Sequence, residues 1–423
     1  MNLGLVIFGL CTARGGLERV GCDLANAMVE RGHKATIYYH SDPKFPDVPV
    51  YPLHRSVAIA GLKLSSSRSL GATRALFLET GLDVLCALFS WDSLLWFPAI
   101  LNNTGIPFLI SEHSNPNVIE NERWNRYERL ACMAAADRIH VLQDQYREQL
   151  PEFLRERTTV IPNPVKPACP VDPERENSPR KTLLAVGRLV DNPKQFSMLI
   201  QAFAMLAPAF PDWQVILCGD GPDESSYRQL IDTLGLAGRV ILHGRVEDID
   251  SRYAASHLFC IPSRYEGFPL VPLEARRHGL PVVGFAGCSG TSGLVNSGHN
   301  GILVDEMSPA GLASGLRILM KNKEMRLGMG ANGQKGLEAF AEKTIHDQWE
   351  ELLLQTAGEK SRTRLMTPGP SEEQRIQAAL EEILCREHPF VRPACADTAR
   401  EADSLKKILQ GMAKDRKTGR EMP

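Results

Sequence analysis

The sequence predicts an α/β protein: two doubly wound domains facing a cleft, followed by a C-terminal tail that is helical or disordered. Three observations predict this. Short apolar runs alternate with longer amphipathic ones, as buried parallel strands alternate with helices. The rhythm restarts near residue 181, after the proline-rich stretch "IPNPVKPACPVDPERENSPR". The last 66 residues, 358–423, hold 24 Asp, Glu, Lys or Arg and only two short amphipathic patterns.

"LGLVIFG" is the first strand, and "TARGG" leads from it into a helix over Glu18 to Arg31. "KATIYY", "GLDVLCALF", "PFLISEH" and "RIHVL" follow as strands. In the second half "KTLLAVGRL" is a strand. Phe196 to Leu206 is a helix with apolar side chains at Phe196, Leu199, Ile200, Phe203 and Leu206. "WQVILCGDGP", "RVILHGRV", "HLFCIPS" and "LPVVGF" continue the pattern. The expected divisions are a first domain over 1–165, a linker over 166–180 and a second domain over 181–343. A helix over 344–357 and the tail, 358–423, complete the chain. In doubly wound sheets, ligands bind outside the carboxyl ends of the strands.

Composition narrows the function classes. The 423 residues are 43% hydrophobic and 23% charged, ordinary for a globular chain. A formal net charge of −2 argues against a nucleic-acid partner. The ten cysteines form no C-x-x-C pair, and several sit in apolar runs, which favours reduced buried thiols in a cytoplasm over disulfides or zinc. The N-terminus lacks a basic n-region and a cleavage site, so no signal peptide is expected. The most apolar stretch, Val84 to Leu101, is broken by Ser90, Asp92, Ser93 and Pro98, so no membrane span is expected either.

Chemistry-bearing residues gather at strand ends. Gly15 and Gly16 stand between the first strand and its helix, where a helix N-terminus offers N–H groups to an anion. No G-x-G-x-x-G follows that strand. "GRLVDNPK" places Arg188 and Lys194 after a strand; one can fork onto phosphate oxygens and the other acts as a point charge. Asp220 and Asp223 in "CGDGP" read as turn formers rather than metal ligands. "PSRYEGFPLVPLE" puts Glu266 in a loop and Glu274 two turns on, in a helix opened by "GFPLV". Backbone N–H groups from Gly267 through Phe268, Pro269 and Leu270 to Val271 would face a diphosphate there, with the exception of the proline. Carboxylates of this kind suit sugar or ribose hydroxyls; pairing of Glu274 with Arg277 or His278 is the plainer alternative. His113, in "ISEHSNP", ends another strand. "NERWNRYERL" is cationic and aromatic. Arg123, Trp124, Arg126 and Arg129 are expected near an acceptor or a membrane surface, against the alternative of a solvated helix.

Together these pieces resemble the retaining glycosyltransferases of the two-domain GT-B type, glycosyl transferases group 1 (family 4). The resemblance spans about residues 1–350. It rests on "GGLERV", Gly187-Arg188-Leu189 with Lys194, "CGDGP", "HGRV", and the E-x7-E pattern from Glu266 to Glu274. It implies two Rossmann-like domains. It also implies roles for matching positions. Glu274 would hold the ribose of a nucleotide diphosphate sugar and Glu266 the hydroxyls of its sugar. Arg188 and Lys194 would neutralise the departing diphosphate, with the 267–271 backbone assisting. Gly16, beside Gly15, would admit the donor phosphate. Main chain near Val246 would read the base, and His113 would lie by the sugar and the acceptor. A final helix near Thr344 to Leu354 would cross back to the first domain.

The resemblance implies no cofactor and no metal. The co-substrate would be a nucleotide diphosphate sugar, a UDP-sugar ahead of a GDP-sugar. The expected reaction moves a hexose or N-acetylhexosamine to a saccharide or lipid-linked acceptor in bacterial surface-glycan synthesis. The expected location is cytoplasmic, with peripheral contact at the inner face of a membrane. The family usually has one residue fewer before the lysine and a glycine after it. Here "DNPKQ" inserts a residue and supplies Gln195, and a bulge would keep Lys194 in place. An epimerase, a phosphorylase, a non-enzymatic nucleotide-sugar-binding regulator and a nicotinamide dehydrogenase are the rival readings. No lysine is marked for the pyridoxal group a phosphorylase would ordinarily need, and the missing glycine fingerprint weakens the dehydrogenase.

Overall fold

The computed structural model describes residues 1–13, 15–62, 67–89, 96–101, 104–116, 118 and 126–359. The chain divides into two units: one over Met1–Pro162 together with the chain from His346 on, the other over Asn163–Ile345.

The first unit is built on a seven-stranded parallel sheet. Its strands are β1 (Asn2–Val6), β2 (Lys34–His40), β3 (Ala58–Leu62), β4 (Val84–Phe89), β5 (Phe108–Glu112), β6 (Arg138–Val141) and β7 (Thr158–Val160). Their order is β3-β2-β1-β4-β5-β6-β7. The chain reverses direction across the sheet between β1 and β4. The second unit has β8 (Lys181–Val186), β9 (Trp213–Cys218), β10 (Val240–Gly244), β11 (Leu258–Ile261), β12 (Val282–Phe285) and β13 (Gly301–Val304). Their order, β10-β9-β8-β11-β12-β13, is again doubly wound, with its switch point between β8 and β11.

Both faces of the second sheet are covered, which explains its continuous apolar strands. Leu183 and Ala185 pack with Phe196, Leu199, Phe203 and Leu316 on one side, while Leu184 packs with Tyr253, Phe259 and Ala275 on the other. The helix Phe196–Leu206 has the bounds its periodicity predicts. In the first unit Leu85, Ala87, Ile110 and Ile139 pack under Phe77, Phe97 and Leu130.

The structure corrects one reading of the chain's organisation. The stretch 166–180 is not a free linker but is packed onto the second unit. Arg175 is buried and donates to the carbonyl of His278, and Arg326 pairs with Glu176 at 2.6 Å. The last helix runs Glu342–Gly358. Its Trp349 is buried in the first unit, 4.3 Å between ring centroids from His140. The tail from residue 360 lies outside the described residues. No described helix is long and apolar enough to cross a membrane. The eight described cysteines are free, and six of them are buried.

Candidate active site

Three strand-end loops of the second unit are laced into one platform. The N–H groups of Gly187 and Leu189 donate to the carbonyls of Cys218 (3.0 Å) and Asp220 (2.8 Å). Asp223 N–H returns to the Leu189 carbonyl, and Gly219 N–H donates to the carbonyl of Gly244 at the end of β10. Glycine is required twice here. Gly219 has φ +144°, and a Cβ on it would collide with the Gly187 carbonyl; one on Gly221 would collide with that of Leu189. The "CGDGP" glycines thus let the β9 loop lie against the loop that carries Arg188. Asp223 accepts the Asp191 N–H at 2.7 Å, so it braces the platform, as a turn former would. No cluster of metal-ligating side chains occurs among the described residues.

Arg188 is exposed just beyond β8, and among the described residues its guanidinium forms no ion pair. The segment "DNPK", which carries the one extra residue, forms one short turn, Asp191–Lys194, and Gln195 follows with φ +50°. Gln195 therefore occupies the left-handed position where the family's glycine would stand. Asp191 anchors this turn: it accepts the Ser197 N–H at 3.0 Å, the Ser197 hydroxyl at 2.7 Å and the Tyr227 hydroxyl at 3.1 Å. The Pro193 carbonyl accepts the Arg264 N–H at 2.9 Å, tying the insertion to the loop after β11. The result is that Lys194 Nζ lies 2.7 Å from Glu266 Oε1. That oxygen also accepts the Ser263 hydroxyl at 2.6 Å.

Downstream, Phe268 and Pro269 are buried, with the Phe268 ring 6.3 Å from that of Phe340. Their side chains point inward, which leaves backbone as what the turn offers a ligand. Leu270 caps the helix Val271–Arg277, and Glu274 stands in its first turns. Glu274 Oε2 accepts the Tyr253 hydroxyl at 3.0 Å. Burial, and after it the Glu274 carboxylate, hold the Tyr253 hydroxyl well above its ordinary pKa, so it stays a donor. The alternative partners of Glu274 are committed to Asp250: Arg277 at 2.6 Å and His278 at 3.2 Å. Val246, after β10, is half-buried against the group that includes Tyr253 and Phe259.

In the first unit, the helix Gly16–Glu30 begins at the glycine pair, and a Cβ on Gly16 would meet nothing within 4 Å. Its N-terminus is less open than the sequence suggests, because the buried Glu18 carboxylate takes the N–H groups of Gly15 and of Glu18 itself. His113 directly follows β5 and bonds Ser111 Oγ at 2.8 Å. Arg129 corrects an expectation. It is 1% exposed and grips the fully buried Glu112 carboxylate through Nε and Nη2, each at 2.6 Å, so it lies at no surface. A buried carboxylate at a strand end needs a cation, and Arg129 supplies it. Arg123 and Trp124 lie outside the described residues; Arg126 opens the helix Arg126–Ala135.

Ser263, Tyr253 and Asp191 escaped the sequence reading. Ser263 and Asp191 stand inside the motifs but carry no chemistry there by themselves, and Tyr253 stands outside them; each acts through a partner distant in the chain or across a turn. The nearest signal was the hydroxyl three residues before Glu266. Chemically, the second unit gathers two cations and two braced carboxylates on strand-end loops and the first turns of one helix around its switch point. That arrangement can hold an anion flanked by hydroxyl groups.

Comparisons with known proteins agree with this architecture. Residues 14–168 match Glycosyltransferase Family 4, and residues 171–336 match Glycosyl transferases group 1. An uncharacterized glycosyltransferase of Haemophilus influenzae is 27% identical over 364 residues, covering 83% of this chain and 99% of the relative. An alpha-1,4-N-acetyl-D-galactosaminyltransferase of Campylobacter jejuni, named for a diNAcBac-PP-undecaprenol-linked glycan, is 23% identical and covers 80% of this chain and 95% of its own length. Among solved structures, sucrose-phosphate synthase of Thermosynechococcus elongatus superposes with a TM-score of 0.72 at 21% identity, covering 84% of this chain and 98% of its own. Anabaena HepE in complex with UDP gives 0.69 at 21% identity, covering 84% of this chain and all of its own. The chain belongs to the GT-B glycosyltransferases, with a Glycosyltransferase Family 4 domain in its first half and a Glycosyl transferases group 1 domain in its second.

Proposed function

We propose that this glycosyltransferase moves a hexose or N-acetylhexosamine, with retention, from a nucleotide diphosphate sugar to a saccharide or lipid-linked acceptor of a bacterial surface glycan. The observation that carries the donor site is the meeting of Lys194 with Glu266 across the switch point of the second sheet, beside exposed Arg188. Arg188 and Lys194 neutralise the diphosphate as the bond to C1 breaks, where fixed cations lower the barrier most. The backbone of 267–271 supplements them. Glu274, held by Tyr253, takes the ribose hydroxyls, and main chain at Val246 meets the base. Glu266 takes hydroxyls of the sugar, and in the first unit His113 is assigned to the acceptor.

Neither glutamate is assigned as a nucleophile. Glu266 Oε1 already accepts from Lys194 and Ser263, which blunts its nucleophilicity and suits a binding role. A front-face, oxocarbenium-like route needs no enzyme nucleophile. Since two cations answer the diphosphate charge, no metal is assigned. UDP is favoured over GDP because a HepE structure of the same fold holds UDP-glucose. A lipid-linked acceptor is favoured because the relative in Campylobacter is named for an undecaprenol-linked glycan. The reaction is proposed to take place on the cytoplasmic side, at a membrane face where the acceptor is lipid-linked.

The test is release of nucleoside diphosphate from a panel of UDP-, GDP- and ADP-sugars, with and without EDTA, followed by NMR of the product's anomeric proton. Release that survives EDTA and an α-product from an α-donor support the reading. An inverted product overturns retention, and loss in EDTA restored by a divalent cation overturns the metal-free assignment.

A further inference from the structure

His113 stands at the end of a chain of hydrogen bonds that runs into the core of the first unit. His140 Nε2 lies 2.7 Å from the Ile161 carbonyl. Its Nδ1 lies 2.8 Å from Ser111 Oγ, which in turn lies 2.8 Å from His113 Nε2. Only one end of the chain is fixed by chemistry. A carbonyl can only accept, so His140 Nε2 carries a proton. His140 is 0% exposed, packed on Trp349, and burial pushes its pKa down to about 4, so the ring is neutral and Nδ1 holds a lone pair. Ser111, also 0% exposed, must spend its single hydroxyl proton on that lone pair. Its oxygen is then left as an acceptor toward His113.

We propose that Ser111 and His140 are positioning residues that lock the proton of His113 on Nε2 and leave Nδ1 as a hydrogen-bond acceptor. Among the described residues, no hydrogen bond reaches His113 Nδ1. The group that meets it must therefore bring a proton of its own. A sugar hydroxyl qualifies; a phosphate oxygen carrying negative charge does not. The consequence for catalysis rests on the proposed function above, whereas the tautomer itself rests only on the chain of bonds. The wire ends on a backbone carbonyl, so it orients His113 and has no group that could accept its proton.

The full chain labelled with [15N]histidine tests this by long-range 1H–15N correlation, with the His113 signals identified by their loss in His113→Gln. The expected spectrum has the proton on Nε2 and the lone pair on Nδ1. A proton on Nδ1, or an even mixture, overturns the proposal without any substrate being present. Ser111→Ala should shift His113 toward a mixture, and Ser111→Thr, which keeps the hydroxyl, should restore the single tautomer. An unaltered His113 signature in Ser111→Ala overturns the positioning role. With an active donor, kcat/KM should fall about two- to ten-fold in Ser111→Ala, as one lost hydrogen bond and a divided tautomer population require. An unchanged kcat/KM beside an altered tautomer breaks the link to catalysis. A protein that transfers no sugar at all sinks the functional reading and leaves the spectrum to judge this one.

Discussion

Replacing Lys194 and Glu266 by Ala, singly and together, measures whether the "DNPK" turn delivers its lysine to the E-x7-E loop. The two charges lie 2.7 Å apart, with side chains 25% and 13% exposed. At an effective dielectric of about 20, that separation gives a gross attraction of about 6 kcal/mol. Desolvation and the ordering of a long lysine cancel most of it. Exposed pairs retain up to about 1 kcal/mol and breaking a buried pair costs about 3–5 kcal/mol, so a pair this deep should show a coupling of about 1–2 kcal/mol. Amide hydrogen exchange in β8 and β11 reports the opening free energy of this sheet in each of the four proteins. A coupling below about 0.3 kcal/mol, within the scatter of independent sites, would refute the claim that the turn holds Lys194 on Glu266.

Two further perturbations test the scaffold. Gly219→Ala places a Cβ against the Gly187 carbonyl at φ +144°, and should cost the second unit about 3 kcal/mol or more. That should appear as a loss of about 6–12 °C in Tm, and an unchanged Tm would contradict the close loop contact. The second concerns pH. Burial lowers His140 to about 4 and His113 to about 3, below their unfolded value near 6.5. The unfolded chain then binds more protons, so this stability is present above about pH 6.5 and is lost as pH falls toward the folded values. Between pH 7 and 5, His140 alone should remove about 1–2 kcal/mol from the first unit. Exchange protection in β5 and β6 that is flat or rises on acidification would contradict the neutral buried chain.

Much of the fold was readable because parallel strands buried on both faces stay apolar throughout, as "KTLLAV" and "LFCI" do. The helix Phe196–Leu206 was readable for the matching reason, a clean apolar stripe. The carboxylates and cations of the second unit were found because they stand in short motifs. What supports them was not legible. Tyr253 reaches Glu274 from 21 residues away, and the Pro193 carbonyl holds Arg264 across 71 positions, through tertiary contacts that leave no local pattern. Arg129 was misread for a related reason. The residues before it are polar, but Glu112 is sealed at a strand end, and only the folded chain shows which cation answers it. The stretch 166–180 looked like a linker because of its prolines; Arg175 and Glu176 bind it to the second unit by contacts over 100 positions distant.

The most direct measurement is a thermal-shift screen against UDP, GDP, ADP and their common sugars, repeated on Arg188→Ala and Glu274→Ala. A nucleotide at about a hundred times its Kd adds about 2.7 kcal/mol to the folded state. UDP or a UDP-sugar should raise the Tm of the unaltered protein, and neither variant should respond at the same concentration. If no nucleotide shifts the unaltered protein, or if both variants respond as it does, the donor site around Arg188 and Glu274 is contradicted.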